Sequence, residues 1–369
     1  MECTIGGTRR HLVDVARGQH RAGLDVHLVA STLRDPGFPQ DLDALEAEGV
    51  GVTRLDMVRQ VSPRIDRAHA RRIEDLLRDL RPDVVHTHSS KAGVLGRHAS
   101  LRSGIGLRVH TPHTFAFLFS ALFGPVKRRL YRAVERHYSS RTGRLIAVSP
   151  SEAETFRSCG VVPHDRIRVV PNGIDPARFE GAPAADLAAL GLDPSRPVAA
   201  VVGLLYAAKG QDLALRAAAA VPDLQLLLVG PGDPSPLTDL ARELGVQDRV
   251  VLTGPRDDVP SLLAAVDLLL LPSRWEGMPY IVLEAMAAGL PVVAHPVDGA
   301  LDLVEHGVTG YLTGAVGTEQ LGAGLVAMLE RSDQDRAALG AAGRVRVRAE
   351  YTIERMISGL SAVYEEALA

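Results

Sequence analysis

Short runs of β-branched residues and leucine recur along the chain, each next to a stretch whose apolar positions fall three and four apart. In the first half the apolar runs cover 24–30, 83–88, 107–111, 144–149 and 167–170, and helical spacing covers 8–22, 66–80, 91–102, 126–140 and 150–158. The second half repeats the alternation. Its apolar runs are 197–203, 224–230, 249–253, 267–272 and 291–294, with helical patterns at 210–220, 236–245, 258–265 and 279–288. Runs that stay apolar on both faces of the pleat are strands covered on both sides, and strand–helix alternation at this spacing builds βαβ units with parallel sheets. The pattern therefore predicts an α/β protein of two doubly wound, Rossmann-like domains. Between the two series, 175–197 carries Pro176, Gly181, Pro183, Gly191, Pro194 and Pro197 and no strand pattern, which reads as a linker. The expected division is 1–174 and 175–350. Ligands of open parallel sheets bind beyond the strand carboxyl ends, so a cleft between two facing sheets is the expected site. At the end of the chain Ile353, Met356, Ile357, Leu360, Val363, Tyr364 and Leu368 fall at helical spacing over 351–369.

Gly6-Gly7 followed by a helical run reads as the first strand-to-helix turn of a doubly wound domain, yet five residues precede it. The strand feeding such a turn is normally central. The expectation is either a start several residues upstream or a stunted central strand.

Composition narrows the class. Of 369 residues, 46% are hydrophobic and 23% charged, which excludes a mainly disordered chain. A net charge of −3 with both signs interspersed gives no global basic field, so nucleic acid is not an expected partner. Cys3 and Cys159 cannot build a disulfide framework or a zinc motif. No run has the ~20 apolar residues a membrane span needs, and no basic-then-apolar leader opens the chain. The expected location is cytoplasmic, at the inner face of the cell membrane if the protein touches it. Lys91, Lys127 and Lys209 are the only lysines among 41 basic residues, so each carries added information.

The most informative stretch is 273–293, SRWEGMPYIVLEAMAAGLPVV. A buried strand runs into a turn and then a helix with Pro279 near its first position. Proline there is pre-organised, and the free N–H groups and dipole of the helix start form an anion site. Glu276 precedes that helix and Glu284 lies two turns on. Such a carboxylate pair accepts hydrogen bonds from sugar or ribose hydroxyls beside a phosphate; read blandly, both are surface glutamates. Lys209 follows a buried strand and opens the helix 210–220, where a point charge stabilises a diphosphate leaving group. Read blandly, it is a solvated lysine at a loop end. His113, just past the strand 107–111, faces either a sugar hydroxyl or the neighbouring backbone.

Glu276-x7-Glu284 within EGMPYIVLEAMAAGLPVV resembles the signature of the family 4 retaining glycosyltransferases of GT-B fold. Val202 to Gly210 resembles the family's V-G-R-L-x-x-x-K-G loop, Pro171-Asn172-Gly173-Ile174-Asp175 its hinge segment and Val229-Gly230-Pro231-Gly232 its V-G-x-G turn. Arg256 to Val259, 295–310 and Gly6-Gly7 match further family elements. The resemblance covers nearly the whole chain. It implies that the first domain is the acceptor side, that the second binds the nucleotide sugar, and that helix 351–369 crosses back onto the first. It implies catalytic roles for Glu276, His113 and Lys209, and donor contacts from Gly6, Gly7, Glu284, Lys209, Gly277, Met278, Pro279, Arg256 and Asn172. It implies transfer of a hexose or N-acetylhexosamine from a UDP-sugar to a hydroxyl acceptor, with no metal and no cofactor beyond the donor. Leu204 stands where the family usually has a phosphate-binding arginine, and Arg256 and Arg274 are the candidate replacements.

The segments 89–93 and 111–117 resemble the subgroup that builds bacterial surface polysaccharides on a lipid carrier, which makes a lipid-linked glycan the expected acceptor. Phe115, Phe117, Phe119 and Phe123 are followed by Lys127, Arg128, Arg129, Arg132 and Arg136. Aromatic residues beside a basic helix suit an anionic membrane, so 115–138 is the expected peripheral contact, with a packed helix as the alternative. Asp41-Leu42-Asp43 and Asp333-Gln334-Asp335 have D-x-D spacing but lie in polar, helix-like stretches, which reads as surface. His86, His88, His110 and His113 sit near neighbouring strand ends, but no carboxylate or cysteine spacing completes a metal site. The rival readings are a natural-product glycosyltransferase, a UDP-N-acetylhexosamine epimerase of the same architecture, and a non-catalytic binder of sugar nucleotides.

Overall fold

A computed structural model of the chain describes residues 6–33, 35–58, 60–119 and 122–369. The chain forms two compact units, one running to Asn172 and completed by Ile353–Ala369, the other Gly173–Thr352.

In the first unit the described strands are β1 (His27–Ala30), β2 (Gly51–Arg54), β3 (Val84–His88), β4 (Leu107–Thr111), β5 (Arg144–Ala147) and β6 (Ile167–Val169). β1 and β2 form a parallel pair, and β3-β4-β5-β6 form a parallel four-stranded sheet in chain order. The strand that the Gly6-Gly7 turn calls for falls on residues 1–5, outside the described residues. One apolar layer joins Leu12, Val13 and Ala16 of the helix Gly7–Arg21 to Ala30, Phe38, Leu42, Ile73, Leu95 and Ala99. The returning helix Ile353–Leu368 lays Met356, Ile357, Leu360, Val363 and Tyr364 against Val15, Val109, Ile146 and Val170. That stripe has the spacing of one helix face, which is why it was legible beforehand. Burying such side chains stabilises the unit by roughly 1.5–3 kcal/mol apiece, so the tail is part of the first unit's core.

The second unit holds β7 (Val198–Val202), β8 (Gln225–Val229), β9 (Val250–Gly254), β10 (Leu268–Leu271), β11 (Val292–Ala294) and β12 (Gly310–Leu312). They form one parallel sheet in the order β12-β11-β10-β7-β8-β9, which is doubly wound, with the strand order reversing between β7 and β10. Ala199, Val201, Leu226, Leu228, Leu268, Leu270 and Val293 turn one face onto Leu215, Leu321 and Leu325 of two helices. Alternate residues supply the other face: Ala200, Leu227 and Leu269 are fully buried as well, as the uninterrupted apolar runs require.

Two expectations need correction. The stretch 175–197 is not a free linker, since Phe179, Leu187 and Leu192 are buried within the second unit. Proline and glycine there shape tight turns rather than looseness. The periodicity also passed over β2, β12 and the helices Phe38–Ala47, Thr318–Leu329 and Asp333–Glu350. The strands are short, and Thr318–Leu329 is apolar on most sides, which weakens a stripe. Both D-x-D stretches lie on helices, with Asp41 paired to Arg9, Asp43 to Arg54 and Asp333 to Arg336.

Candidate active site

In the second unit the site grows from two loops at strand ends. After β7 the chain makes a short 3-10 turn, Ala207–Lys209, and reaches Gly210 at φ +67°, the N-cap of helix Gln211–Ala219. A Cβ at Gly210 would lie 2.0 Å from the Pro272 carbonyl oxygen, so only glycine lets this loop press on the end of β10. That contact brings Lys209 beside Glu276: Nζ donates to Oε1 at 2.7 Å, and Ser273 Oγ donates to the same oxygen at 2.7 Å. Burial pulls the Lys209 pKa down, but the Glu276 carboxylate outweighs it and the net shift is upward, so the ammonium stays charged. His295 is fully buried and supports Ser273. Its Nε2 accepts from the Gly317 N–H at 3.2 Å, which leaves Nδ1–H to donate to the Ser273 carbonyl at 3.1 Å.

Glu276 leads through Gly277 and Met278 to Pro279, the N-cap of helix Tyr280–Ala288. Its N-cap proline makes no side-chain cap bond and its first turn carries no acid, which suits an anion. Gly299, at φ +71°, lets the next loop close on this turn, since a Cβ there would come within 2.5 Å of the Gly277 carbonyl. Glu284 lies on the same helix, partly buried. The two arginines proposed to replace the missing one each pair with an aspartate. Arg274 makes two bonds to Asp212, at 2.8 and 2.6 Å, and donates to the Ala207 carbonyl at 2.7 Å. Exposed Arg256 makes two bonds to Asp258, at 2.8 and 2.6 Å. Arg274 thus staples the two loops together, and both arginines, like Lys209, share their charge with a carboxylate.

The first unit holds Gly6, Gly7, His113 and Asn172. Gly6 caps helix Gly7–Arg21 at φ +95°, and no atom of the described residues lies within 4 Å of where a Cβ would stand. His113 and Thr114 both have positive φ, 52° and 78°, and Ser89 lies at 57°. A β-branched residue at positive φ is strained, and such strain clusters at working sites. Thr114 Oγ1 donates to fully buried Glu152 at 3.4 Å, and the other oxygen of Glu152 accepts the Val148 N–H at 2.7 Å. Ser149 caps the helix Pro150–Cys159 by accepting the Glu152 N–H, so Ser149-x-x-Glu152 is a helix-start pattern that sequence reasoning passed over.

His113 belongs to a histidine group that sequence spacing placed only in part. His88 Nδ1 lies 3.3 Å from His113 Nε2, and His11 packs edge-on to His113 with ring centres 4.7 Å apart. The His11 Nδ1–H donates to the buried Asn172 Oδ1 at 3.0 Å, which gives Asn172 a positioning role inside this unit. His86 stacks on His88 at 4.1 Å, its Nδ1 accepting from the Tyr364 hydroxyl at 2.6 Å and its Nε2–H donating to Thr111 Oγ1 at 2.8 Å. Gln19 Nε2 donates to the same hydroxyl at 3.0 Å. Fully buried His110 turns away to Thr87 and, at 3.9 Å, to Glu135 of the Arg97–Glu135 pair. Burial lowers the pKa of all five histidines, His11 to about 4 and His86 to about 3, so the rings are neutral at pH 7. Strand-end spacing brings His86, His88, His110 and His113 into one neighbourhood, but nothing in it announces His11 or Tyr364.

Residues 115–138 divide. Phe115 and Phe117 pack against Phe156 in the core rather than outward. On the helix Pro125–Ser139, however, Val126 and Leu130 are 76% and 59% exposed, amid exposed Lys127, Arg129 and Arg136. Ser120 and Ala121 lie outside the described residues. Among the described residues no helix is long and apolar enough to cross a membrane.

Residues 5–178 match the sequence profile of Glycosyltransferase Family 4, and 196–331 that of Glycosyl transferases group 1. A D-inositol 3-phosphate glycosyltransferase of Thermobispora bispora is 32% identical over 98% of this chain and 90% of its own. The UDP-Gal:alpha-D-GlcNAc-diphosphoundecaprenol alpha-1,3-galactosyltransferase of Escherichia coli is 35% identical over 64% of each chain. A Mycobacterium D-inositol 3-phosphate glycosyltransferase is 39% identical over 62% of this chain and 55% of its own, so these two matches span less than two thirds of the relatives' length. Among solved structures, Anabaena Alr3699/HepE in complex with UDP and glucose superposes with a TM-score of 0.81 at 22% identity, covering 98% of this chain and 97% of that one. WaaG, a glycosyltransferase involved in lipopolysaccharide biosynthesis, superposes at 0.75 and 21% identity, covering 100% and 96%.

Proposed function

Because the chain belongs to the family 4 glycosyltransferases and has the GT-B fold, we propose that it moves a hexose or N-acetylhexosamine from a UDP-sugar to a hydroxyl acceptor, with retention of anomeric configuration. The acceptor in this reading is a lipid-linked glycan of surface-polysaccharide synthesis, in keeping with the diphosphoundecaprenol acceptor named for the E. coli relative. The observation that carries the reading is the Lys209–Glu276 pair at the head of the helix Tyr280–Ala288. Lys209 is charged and held on a single carboxylate oxygen. A donor diphosphate at this helix start gives its ammonium a second anionic partner. In the transfer step the bond from the anomeric carbon to the diphosphate oxygen breaks, and its electron pair leaves with UDP. The acceptor oxygen bonds to that carbon, and its proton passes to the leaving diphosphate. Lys209 and the helix N–H groups stabilise the charge that builds on UDP, with no ion called on at this step. Glu276, turned toward the sugar, and Glu284, at the ribose, are the hydroxyl-binding carboxylates of this reading.

The purified chain, given a panel of UDP-, GDP- and TDP-sugars with and without a polyprenyl-diphosphate-linked acceptor, is expected to consume UDP-sugars and to extend the acceptor. Absence of both turnover and UDP binding by calorimetry overturns the reading. A change of sugar stereochemistry without acceptor replaces it with epimerisation. The same proposal includes a contact of the helix Pro125–Ser139 with an anionic membrane, a reading supported by exposed Val126 and Leu130 amid cations. Co-sedimentation with vesicles containing phosphatidylglycerol is expected to fall in a Val126→Glu, Leu130→Glu chain, and unchanged sedimentation removes that part.

A further inference from the structure

We propose that His11, His88 and His113, all in the first unit, bind one divalent transition-metal ion of the zinc class.

The three come from separate elements: the helix Gly7–Arg21, the end of β3 and the loop after β4. Among the described residues theirs is the one group whose candidate ligand atoms all lie within 4.8 Å of one another. A tetrahedral ion with bonds of about 2.1 Å holds its nitrogen ligands roughly 3.4 Å apart; His88 Nδ1 and His113 Nε2 are 3.3 Å apart. The ring centres form a near-regular triangle with sides of 5.3, 4.7 and 5.5 Å, the outline of imidazoles converging on one point. Packing alone has no need of that convergence.

The surroundings set the rings as metal sites do. Asn172 takes the His11 Nδ1–H, which puts that ring's lone pair on Nε2. His86 stacks on His88 and fixes its plane, while both His86 nitrogens are committed to Tyr364 and Thr111. His110 faces Thr87 and Glu135. Of five neighbouring histidines, three converge and two turn outward. Coordination through His88 Nδ1 and His113 Nε2 moves the hydrogen that now joins them to the far nitrogen of the ring that carries it, so both rings present a lone pair to the ion. Three nitrogen ligands and no carboxylate leave the ion's charge uncompensated and one position open, which suits an anionic oxygen ligand such as phosphate.

The test uses the full chain, stripped with a chelator and titrated with Co²⁺, then with Zn²⁺ in competition. The expected result is about one equivalent of Co²⁺ with the intense visible absorption of a tetrahedral site, quenched by Zn²⁺. His11→Ala and His88→Ala are expected to weaken binding by more than about 100-fold, whereas His86→Gln, outside the ligand set, lowers it by about 100-fold at most. Weak octahedral absorption, or uptake well below one equivalent in the wild-type chain, overturns the site. So does undiminished uptake by a His88→Ala chain whose circular dichroism is native. Where the alanine variants do not fold, the wild-type spectrum alone decides. No sugar nucleotide enters the assay, so its outcome is independent of the transferase reading.

Discussion

The two units solve the problem of burying polar groups in opposite ways. In the second, Lys209 keeps its charge because Glu276 sits 2.7 Å away, and the pair is held by loops that follow adjacent strands. In the first, His11, His88 and His113 lose theirs, since burial and mutual repulsion of like charge hold the rings neutral. A neutral ring keeps a lone pair for a metal or a hydroxyl proton, while a paired cation keeps a field for an anion. The charged pair suits an anionic leaving group, and the ring cluster suits coordination and hydrogen bonding. Charge pairing also occurs in the first unit, where fully buried Arg97 makes two bonds to Glu135, but that pair joins two helices and is spent on packing.

The largest expected effect comes from breaking the charged side of the contrast. Lys209→Ala should lower kcat/KM for the UDP-sugar by about 100- to 1000-fold, the usual loss for a group that meets charge developing in the transition state. Steady-state kinetics check this, and near-normal turnover removes the phosphate role. Next is the neutral side. Tyr364→Phe removes the hydroxyl that donates to His86 and accepts from Gln19, at a cost of about 1–3 kcal/mol read by urea unfolding. A loss below about 0.5 kcal/mol would show that water replaces the hydroxyl.

A further effect follows from acid. Histidines with folded pKa values below the unfolded 6.5 bind fewer protons in the native state, so stability falls with falling pH. The window opens near 6.5 and closes near the folded values, about 4 for His11 and about 3 for His86. Melting temperature followed from pH 7 to 4 should drop, and a His11→Asn, His86→Gln chain should show a flatter profile. An equal slope in both chains would assign the acid sensitivity to other groups. The smallest effect is expected at Arg256, whose exposed charge is already balanced by Asp258. Arg256→Ala should change kcat/KM by less than about threefold, within the range of surface substitutions. A loss like that of Lys209→Ala would return Arg256 to the phosphate site.

The sequence by itself determined the α/β class, the doubly wound second unit and the apolar stripe of the last helix, while the family resemblance supplied that helix's return and the common site of Lys209 and Glu276. The first three follow from local rules: strands buried on both faces read as unbroken apolar runs, and a helix that docks on one face carries its stripe at fixed spacing. The 273–293 stretch was legible because its strand, turn and helix are contiguous, so its chemistry travels with its spacing. Only the tertiary structure decided that Arg274 and Arg256 are paired with Asp212 and Asp258, and that 175–197 is packed. The histidine group depended on it most. His11 reaches His88 and His113 only when helix Gly7–Arg21 docks beside the ends of β3 and β4, and Tyr364 arrives from the far end of the chain. Side chains brought together by packing leave no periodic trace, because what fixes their distance is the core beneath them.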